Sequence, residues 1–510
     1  YHRGTYTSMA RNKRGNRKSE LAMMDLELLG VLAGDYPAQE DTRLWRDIIL
    51  LNQFHDILPG SSIAEVYEVT KQEYEELHRE VSGLIRDRLE KLAGPGEGVT
   101  VFNTLGFDRG DVVCLGQLEA EALEDAAGNR YAVQQTAQGA FAYLERLPAK
   151  GYVTLRKAGG AAPSPFRRRD AHHLETPYYS VAFDENGRLS SLFDKEYDRE
   201  LLRPGQTGNR LRVYEDKPIY YDNWDIDRYY TEKSYDVDHL VSMTWTEDGP
   251  VRTTLALHYE FCGCAIHQNI RFYANTRRID FESTVDWKLH QHLLKAEFPL
   301  DIHTDEATFE IQFGNVTRKV HSNTSWDKAR FESCAQKWMD YSEGNYGVSL
   351  LNDCKYGHSV LDGVVGLTLI KSGVEPNPNT DVELHTFTYA LYPHGGTWKQ
   401  AHTVQESYKL NQPAYVLPAG TPGAAYSFAR VDKDNVILET VKQAENGEGT
   451  VLRLYECQNA RTKFTLTVPA HTQKAYVTNL LEEIQEELPI QNGRITHTIH
   501  PYEILTLLIQ

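Results

Sequence analysis

The sequence predicts an α+β multidomain protein: an N-terminal three-helix bundle followed by antiparallel β-sandwich domains. Three observations carry this. Apolar residues recur at helical spacing through the first ~95 residues, the texture breaks at Gly94-Pro95-Gly96, and from Val99 onward apolar and polar residues mostly alternate. The chain has 510 residues, and at roughly 100–200 residues per domain it is expected to hold about three or four.

Within the helical part, Leu21, Met24, Leu28 and Val31 mark a first helix, and Leu44, Ile48 and Leu51 a second. Ile63, Thr70, Tyr74, Leu77, Val81 and Leu84 keep helical spacing over a long third helix, and Ser62 with Glu65 reads as its capping box. Breaks at Gly34-Asp35-Tyr36-Pro37 and Pro59-Gly60 separate the three, so residues 1–95 read as the bundle. Strand-like alternation then recurs, as in Phe387-Thr388-Tyr389-Ala390-Leu391 and Phe464-Thr465-Leu466-Thr467-Val468, with turns such as Asp184-Glu185-Asn186-Gly187 between runs. The 30 tyrosines suit half-buried β-surfaces. Two further breaks, at residues 159–165 and 418–423, divide this part into a small β domain (96–165), a large β-sandwich (166–418) and a C-terminal β domain (419–510).

Composition removes several function classes. The net charge of −18 repels phosphate backbones, so no nucleic-acid partner is expected. No apolar run approaches the ~18 residues of a membrane helix, so no membrane partner is expected either. Six cysteines without a C-x-x-C pair are not a disulfide scaffold and fit a cytoplasmic protein. Cys262-Gly263-Cys264 lies in an alternating stretch and reads as two small buried hydrophobes on a strand. Residue 1 is not Met, and residues 1–18 carry six bases (Arg3, Arg11, Lys13, Arg14, Arg17, Lys18) and no acid before running straight into a helix. The chain is therefore expected to be part of a longer protein. A homo-oligomeric state is compatible with the sequence.

The densest polar constellation of the bundle is Leu51-Asn52-Gln53-Phe54-His55-Asp56-Ile57-Leu58-Pro59-Gly60-Ser61-Ser62. His55 and Asp56 fall where the second helix ends. Carbonyls and the helix dipole favour a cation there, and imidazole is a common zinc ligand. Spacing alone favours a plainer reading, a surface cap or a hydrogen-bonded His–Asp pair, because a zinc site takes three or four ligands and no H-x-x-x-H is present.

That run closely resembles the signature of α-mannosidases of glycoside hydrolase family 38. In family order, so do His2-Arg3-Gly4-Thr5-Tyr6-Thr7-Ser8, Tyr221-Asp222-Asn223-Trp224-Asp225-Ile226-Asp227, Asn323-Thr324-Ser325-Trp326-Asp327, the stretch from Lys337 to Gly347, and Tyr392-Pro393-His394-Gly395-Gly396. The resemblance implies an N-terminal α/β barrel, a three-helix bundle and β-sandwiches, the large one of galactose-mutarotase type. It implies a retaining, zinc-dependent hydrolase of terminal α-mannosyl linkages, with a mannose-containing oligosaccharide as partner. Nucleophile and acid/base carboxylates belong to the barrel, which has no counterpart here, so no catalytic residue is expected in this chain. The missing barrel becomes a partner. His55 corresponds to one zinc ligand and Asp56 to a residue that hydrogen-bonds sugar hydroxyls.

Trp224 and Asp225, with Asp222 and Asp227, are candidates to face a sugar, with the indole stacking on it. Asp340, near Glu343 and Tyr346, is a further substrate-binding candidate. His290-Gln291-His292 has zinc-like spacing but reads as an edge-strand pair, and His172-His173 as solvated. The competing function is a carbohydrate-binding or structural β-sandwich module without catalysis.

Overall fold

Three helices open the chain in the computed structural model, which describes residues 1–510. Helix α1 (Ala10–Ala33) and helix α3 (Ala64–Ala93) pack along each other, while α2 (Ala38–Arg43) runs on into a π-helical stretch, Leu44–Leu50. Met23, Leu26 and Leu29 of α1 meet Leu44, Ile49, Leu77, Val81, Ile85 and Leu89 in the bundle core.

Two expectations change here. The capping box does not form: Ile63 is the N-cap of α3, and the Ser62 N–H donates to the Tyr67 hydroxyl (3.0 Å). Nor does the stripe Leu21, Met24, Leu28, Val31 face the bundle core. Leu28 enters the C-terminal β core with Val31 against it, and Leu21 and Met24 line a cleft towards the sandwich. The reason is that α1 is enclosed on several sides, with Lys13, Arg17, Asp25 and Glu27 among its buried residues. A helix enclosed in this way carries no single apolar stripe.

The rest is mainly antiparallel β-structure in six sheets, with one further helix of two turns or more, Thr403–Asn411. The first, of eight strands, is built mainly from residues 99–158. Tyr415–Leu417 pairs with Val99–Asn103, and Ala425–Ser427 with Gly151–Ala158. The chain thus returns to its first β unit around the 418–423 break before entering the last one. Sheets of five, six and nine strands enclose one core of 45 buried residues running from Phe166 to Leu391. Sheets of four and five strands close the C-terminal core around Leu28.

Local geometry corrects two cysteine and histidine readings. Cys262 and Gly263, both at positive φ (48° and 82°), form the two-residue turn between Arg252–Phe261 and Cys264–Tyr273, so Cys262 is exposed and only Cys264 is buried. His290 and His292 do not share a strand face. Gln291 breaks the run at φ 54°, and His292 Nδ1 lies 2.6 Å from the His290 carbonyl.

The charges buried in α1 join these units. The Arg17 guanidinium donates to Asn352 Oδ1 (2.8 Å), the Gln336 carbonyl (3.0 Å) and the Tyr356 hydroxyl (3.1 Å). Asp25 accepts from Gln412 Nε2 (3.0 Å) and the Tyr415 hydroxyl (2.9 Å). Glu27 accepts from Trp45 Nε1 (2.8 Å), and burial, with Asp41 beside it, pushes its carboxyl up to about 8.

Two tests follow. Arg17→Ala strands several buried acceptors and should cost about 3 kcal/mol, read as a lower urea midpoint. Glu27 binds its proton more tightly folded than unfolded. Its contribution is full below the ordinary 4.5 and is lost as pH rises towards 8, so Glu27→Gln should flatten the fall of Tm across that window and raise Tm at its alkaline end.

Candidate functional site

The π-helical stretch ends in one more turn, and Gln53 ties that end to α1 through Asn16 Oδ1 (3.1 Å) and Glu20 Oε1 (2.6 Å). Such widened turns recur at functional sites. The chain then folds over itself in tight turns, with the Leu58 N–H donating to the Phe54 carbonyl (3.1 Å). His55 and Asp56 stand at the tip. Their side chains are 77% and 55% exposed, with His55 Nε2 lying 3.5 Å from Asp56 Oδ2. The Phe54 ring packs on His55 at 4.2 Å, and Leu50, Leu51 and Phe54 are themselves exposed.

Beneath this exposed tip the backbone is held carbonyl by carbonyl. Tyr67 places its hydroxyl 3.3 Å from the Asp56 carbonyl and 3.1 Å from that of Ile57. The buried Lys13 ammonium donates to the carbonyls of Leu58 (2.9 Å), Pro59 (3.1 Å) and Ser8 (2.5 Å). Asn223 Nδ2 donates to the carbonyl of Gly60 (3.0 Å). Gly60 is at φ +90°, and a Cβ there would stand 2.3 Å from the Ser8 carbonyl oxygen. Sequence reading missed these positioning residues. Lys13 is one of six bases in residues 1–18 with nothing local to single it out, and nothing local marks Asn223 as a partner of residue 60.

Asn223 brings three of the sequence motifs together. Its carbonyl accepts from Ser8 Oγ (2.7 Å), and the Trp224 carbonyl accepts from the Gly4 N–H (2.8 Å). Trp224 and Asp225 are both half-buried. Asp225 Oδ1 accepts from the His2 N–H (2.6 Å), and the Trp224 indole meets Tyr221 edge-on at 5.6 Å. Asp222 is buried and accepts from Gln291 Nε2 (2.9 Å). Ile219, Tyr220, Tyr221 and Tyr229 of this segment are exposed.

Asp340 does not belong to that surface. It is 2% exposed, and its oxygens accept from Ser342 Oγ (2.5 Å) and Ser349 Oγ (2.9 Å) and pair with His394 Nε2 (2.8 Å). Its strand, Trp338–Ser342, lies inside the nine-stranded sheet and is covered on both faces, so alternation there does not deliver a side chain to solvent. Glu343 pairs with Arg199 (2.8 Å), and the Tyr346 hydroxyl donates to Asp194 (2.7 Å).

His55 and Asp56 gather no third metal-ligating group. The three ligand atoms that do converge, within 4.8 Å, belong to Asp381, Glu383 and His385. Each of the three residues already has a partner, and Glu383 Oε1 alone is buried without one. Asp381 accepts from the Met9 and Ala10 N–H groups (both 2.7 Å), Glu383 pairs with Arg11 (2.6 Å), and His385 Nε2 lies 2.8 Å from the Asp381 carbonyl. This cluster caps α1 and ties it to the sandwich.

Gly60→Ala and Lys13→Met should each loosen the tip. Limited proteolysis with mass mapping should show cleavage within residues 53–62 accelerated about tenfold or more, whereas His55→Ala, which removes no clamp, should leave the rate unchanged.

Comparison with known proteins places this geometry in a family. Residues 1–92 match the alpha mannosidase middle domain, residues 174–379 the glycosyl hydrolases family 38 C-terminal domain, and residues 435–507 the family 38 C-terminal beta sandwich domain. Alpha-mannosidase 2C1 of Homo sapiens is 34% identical over 100% of this chain and 50% of its own length. Alpha-mannosidase G of Dictyostelium discoideum is 31% identical over 99% of this chain and 51% of its own length. The chain thus spans about half the length of the curated relatives it matches. The crystal structure of an alpha-mannosidase from Enterococcus faecalis V583 shares the fold, with a TM-score of 0.81 at 17% identity, covering 100% of this chain and 68% of that one. Since successive domains of one family account for the bundle and both later β regions in chain order, the protein belongs to glycoside hydrolase family 38.

Proposed function

We propose that this chain is the bundle-and-sandwich portion of a retaining, zinc-dependent α-mannosidase that removes terminal α-linked mannose from oligosaccharides, and that it is inactive alone. The observation that carries this reading is the His55–Asp56 pair, held outward on a clamped loop at the end of the π-helical stretch. His55 would be one zinc ligand of the assembled enzyme, and Asp56 would accept hydrogen bonds from sugar hydroxyls beside it. These two groups do not fit a complete zinc site, which takes three or four side chains. The remaining ligands, and the two carboxyl groups about 5–5.5 Å apart that retention requires, would come from an α/β barrel. Phe54, Leu50 and Leu51 would be covered by that barrel, since exposed apolar groups clustered at a polar site mark a docking surface. The six free cysteines support a reducing, cytoplasmic setting.

A carbohydrate-binding or purely structural module is the second reading, but an outward imidazole on an immobilised loop has no evident use in it. Release of nitrophenol from an aryl α-mannoside separates the two. The chain alone, with or without added zinc, should show no turnover. Co-expressed with the barrel half of a relative it should be active, and His55→Ala should lower that activity about 100-fold or more. Turnover by the isolated chain that His55→Ala abolishes would mean a complete site exists within these residues.

A further inference from the structure

The six-stranded sheet of the large sandwich gives one face to the core, through Val213, Leu294, Ala296, Val365 and Leu367. Alternation turns Arg212, Tyr214, Lys295, Glu297 and Gly366 to the other, where register sets Arg212 opposite Lys295 and Glu297 opposite Gly366. Over this second face runs a groove of about 600 Å³, walled by the helical turn Arg228–Glu232 and by Phe331. A hollow of about 210 Å³ adjoins it and shares Arg212, Glu297 and Val364. None of the residues around either belongs to the 53–62 or 221–227 loops. Gly366 keeps the floor low, since a Cβ there would stand 2.7 Å from Ser359 Oγ.

Two groups in that floor are paired in charge but not in hydrogen bonds. Glu297 is 8% exposed. The Tyr214 hydroxyl donates to its Oε1, but its Oε2 meets only the Arg212 guanidinium, at 3.8 Å. Arg212 lies 3.7 Å from its other carboxylate neighbour, Asp236, and its Nε is buried without a hydrogen-bond partner. The remaining cations around Glu297 are committed: Arg210 forks onto Asp236 (2.7 and 2.6 Å), and Lys295 pairs with Glu332 (2.7 Å). Buried polar groups are ordinarily hydrogen-bonded, and a ligand in the groove would complete both. The lining selects the class of that ligand. Arg212, Arg228 and Lys328 face Glu232, Glu297 and Asp362, so the groove has no net charge in a chain of net charge −18. It favours neither anion nor cation, whereas a sugar hydroxyl both donates to a carboxylate and accepts from a guanidinium. The Tyr214, Tyr230 and Phe331 rings form an apolar wall, with successive centroids 5.1 and 6.1 Å apart and Tyr229 exposed at its lip.

We propose that this groove binds a neutral oligosaccharide, with Glu297 accepting hydrogen bonds from its hydroxyls, Arg212 donating to them, and Tyr229 and Phe331 lying against its C–H faces. The volume falls within the roughly 300–1,000 Å³ of ligand pockets. Binding there needs neither zinc nor a barrel, so it stands or falls apart from the α-mannosidase reading. The test is calorimetric titration of the whole chain with an α-linked mannotriose and, separately, with maltotriose. Saturable binding of at least one is expected. Preference for mannotriose identifies an α-mannoside ligand, and preference for maltotriose an α-glucan; both support the site. Glu297→Gln keeps the shape and an acceptor for Tyr214, and Tyr229 is exposed, so Glu297→Gln and Tyr229→Ala should both fold and should each bind about tenfold more weakly or worse. Should Glu297→Gln unfold, Tyr229→Ala alone carries the same expectation. Asp56→Ala, at the loop tip outside the groove, should bind as the parent does. Absence of saturable binding by both sugars, undiminished binding by either folded groove variant, or loss of binding in Asp56→Ala overturns the proposal.

Discussion

The architecture depends on the ionisable side chains buried within one helix. Burying a charged side chain is tolerated only when it is paired or hydrogen-bonded. Helix α1 buries Lys13, Arg17, Asp25 and Glu27. Each draws its partners from a different place: Lys13 from residues 8 and 58–59, Arg17 from residues 336–356, Asp25 from residues 412–415, and Glu27 from Trp45 of the π-helical stretch. A different seating of the helix would leave several of these groups dry and unpaired at once. These buried polar groups of α1 therefore act on register and relative placement more than on net stability, which a hydrophobic replacement of the same volume can match.

That placement reaches the site through Lys13 and Asn223. Both act on backbone carbonyls, so the loop conformation does not depend on which side chains it displays. The tip keeps His55 and Asp56 free of structural duties, and rigidity is supplied from behind. Groups that take part in binding or catalysis need such support, because geometry loosened by an ångström forfeits much of their effect.

The motifs that look alike in sequence divide in space. Residues 2–8, 52–62 and 221–227 converge, through Asn223 and Trp224, on the outward surface around His55. Residues 337–347 and 392–396 meet each other instead, in the Asp340–His394 pair inside the nine-stranded sheet. Both groups are rich in Asp, Trp and Gly. What separates them is burial, and with burial comes the need to saturate each carboxylate internally.

The sequence by itself determined the three helices, the change to β-structure after residue 95, and the outward position of a His–Asp pair just before a Pro-Gly break. These are local properties: a period of 3.6 or 2, or a residue that cannot continue a helix, is written within a few neighbouring positions. Only the tertiary structure decided which face of α1 meets which core, that Cys262 turns a hairpin, that Asp340 is buried, and that Lys13 clamps a loop. Those outcomes depend on partners far along the chain, such as residues 13 and 58, 223 and 60, or 340 and 394. A lysine's or an aspartate's local pattern is the same whether water or a distant carbonyl or imidazole completes its hydrogen bonds. Packing alone makes that choice, by removing the water.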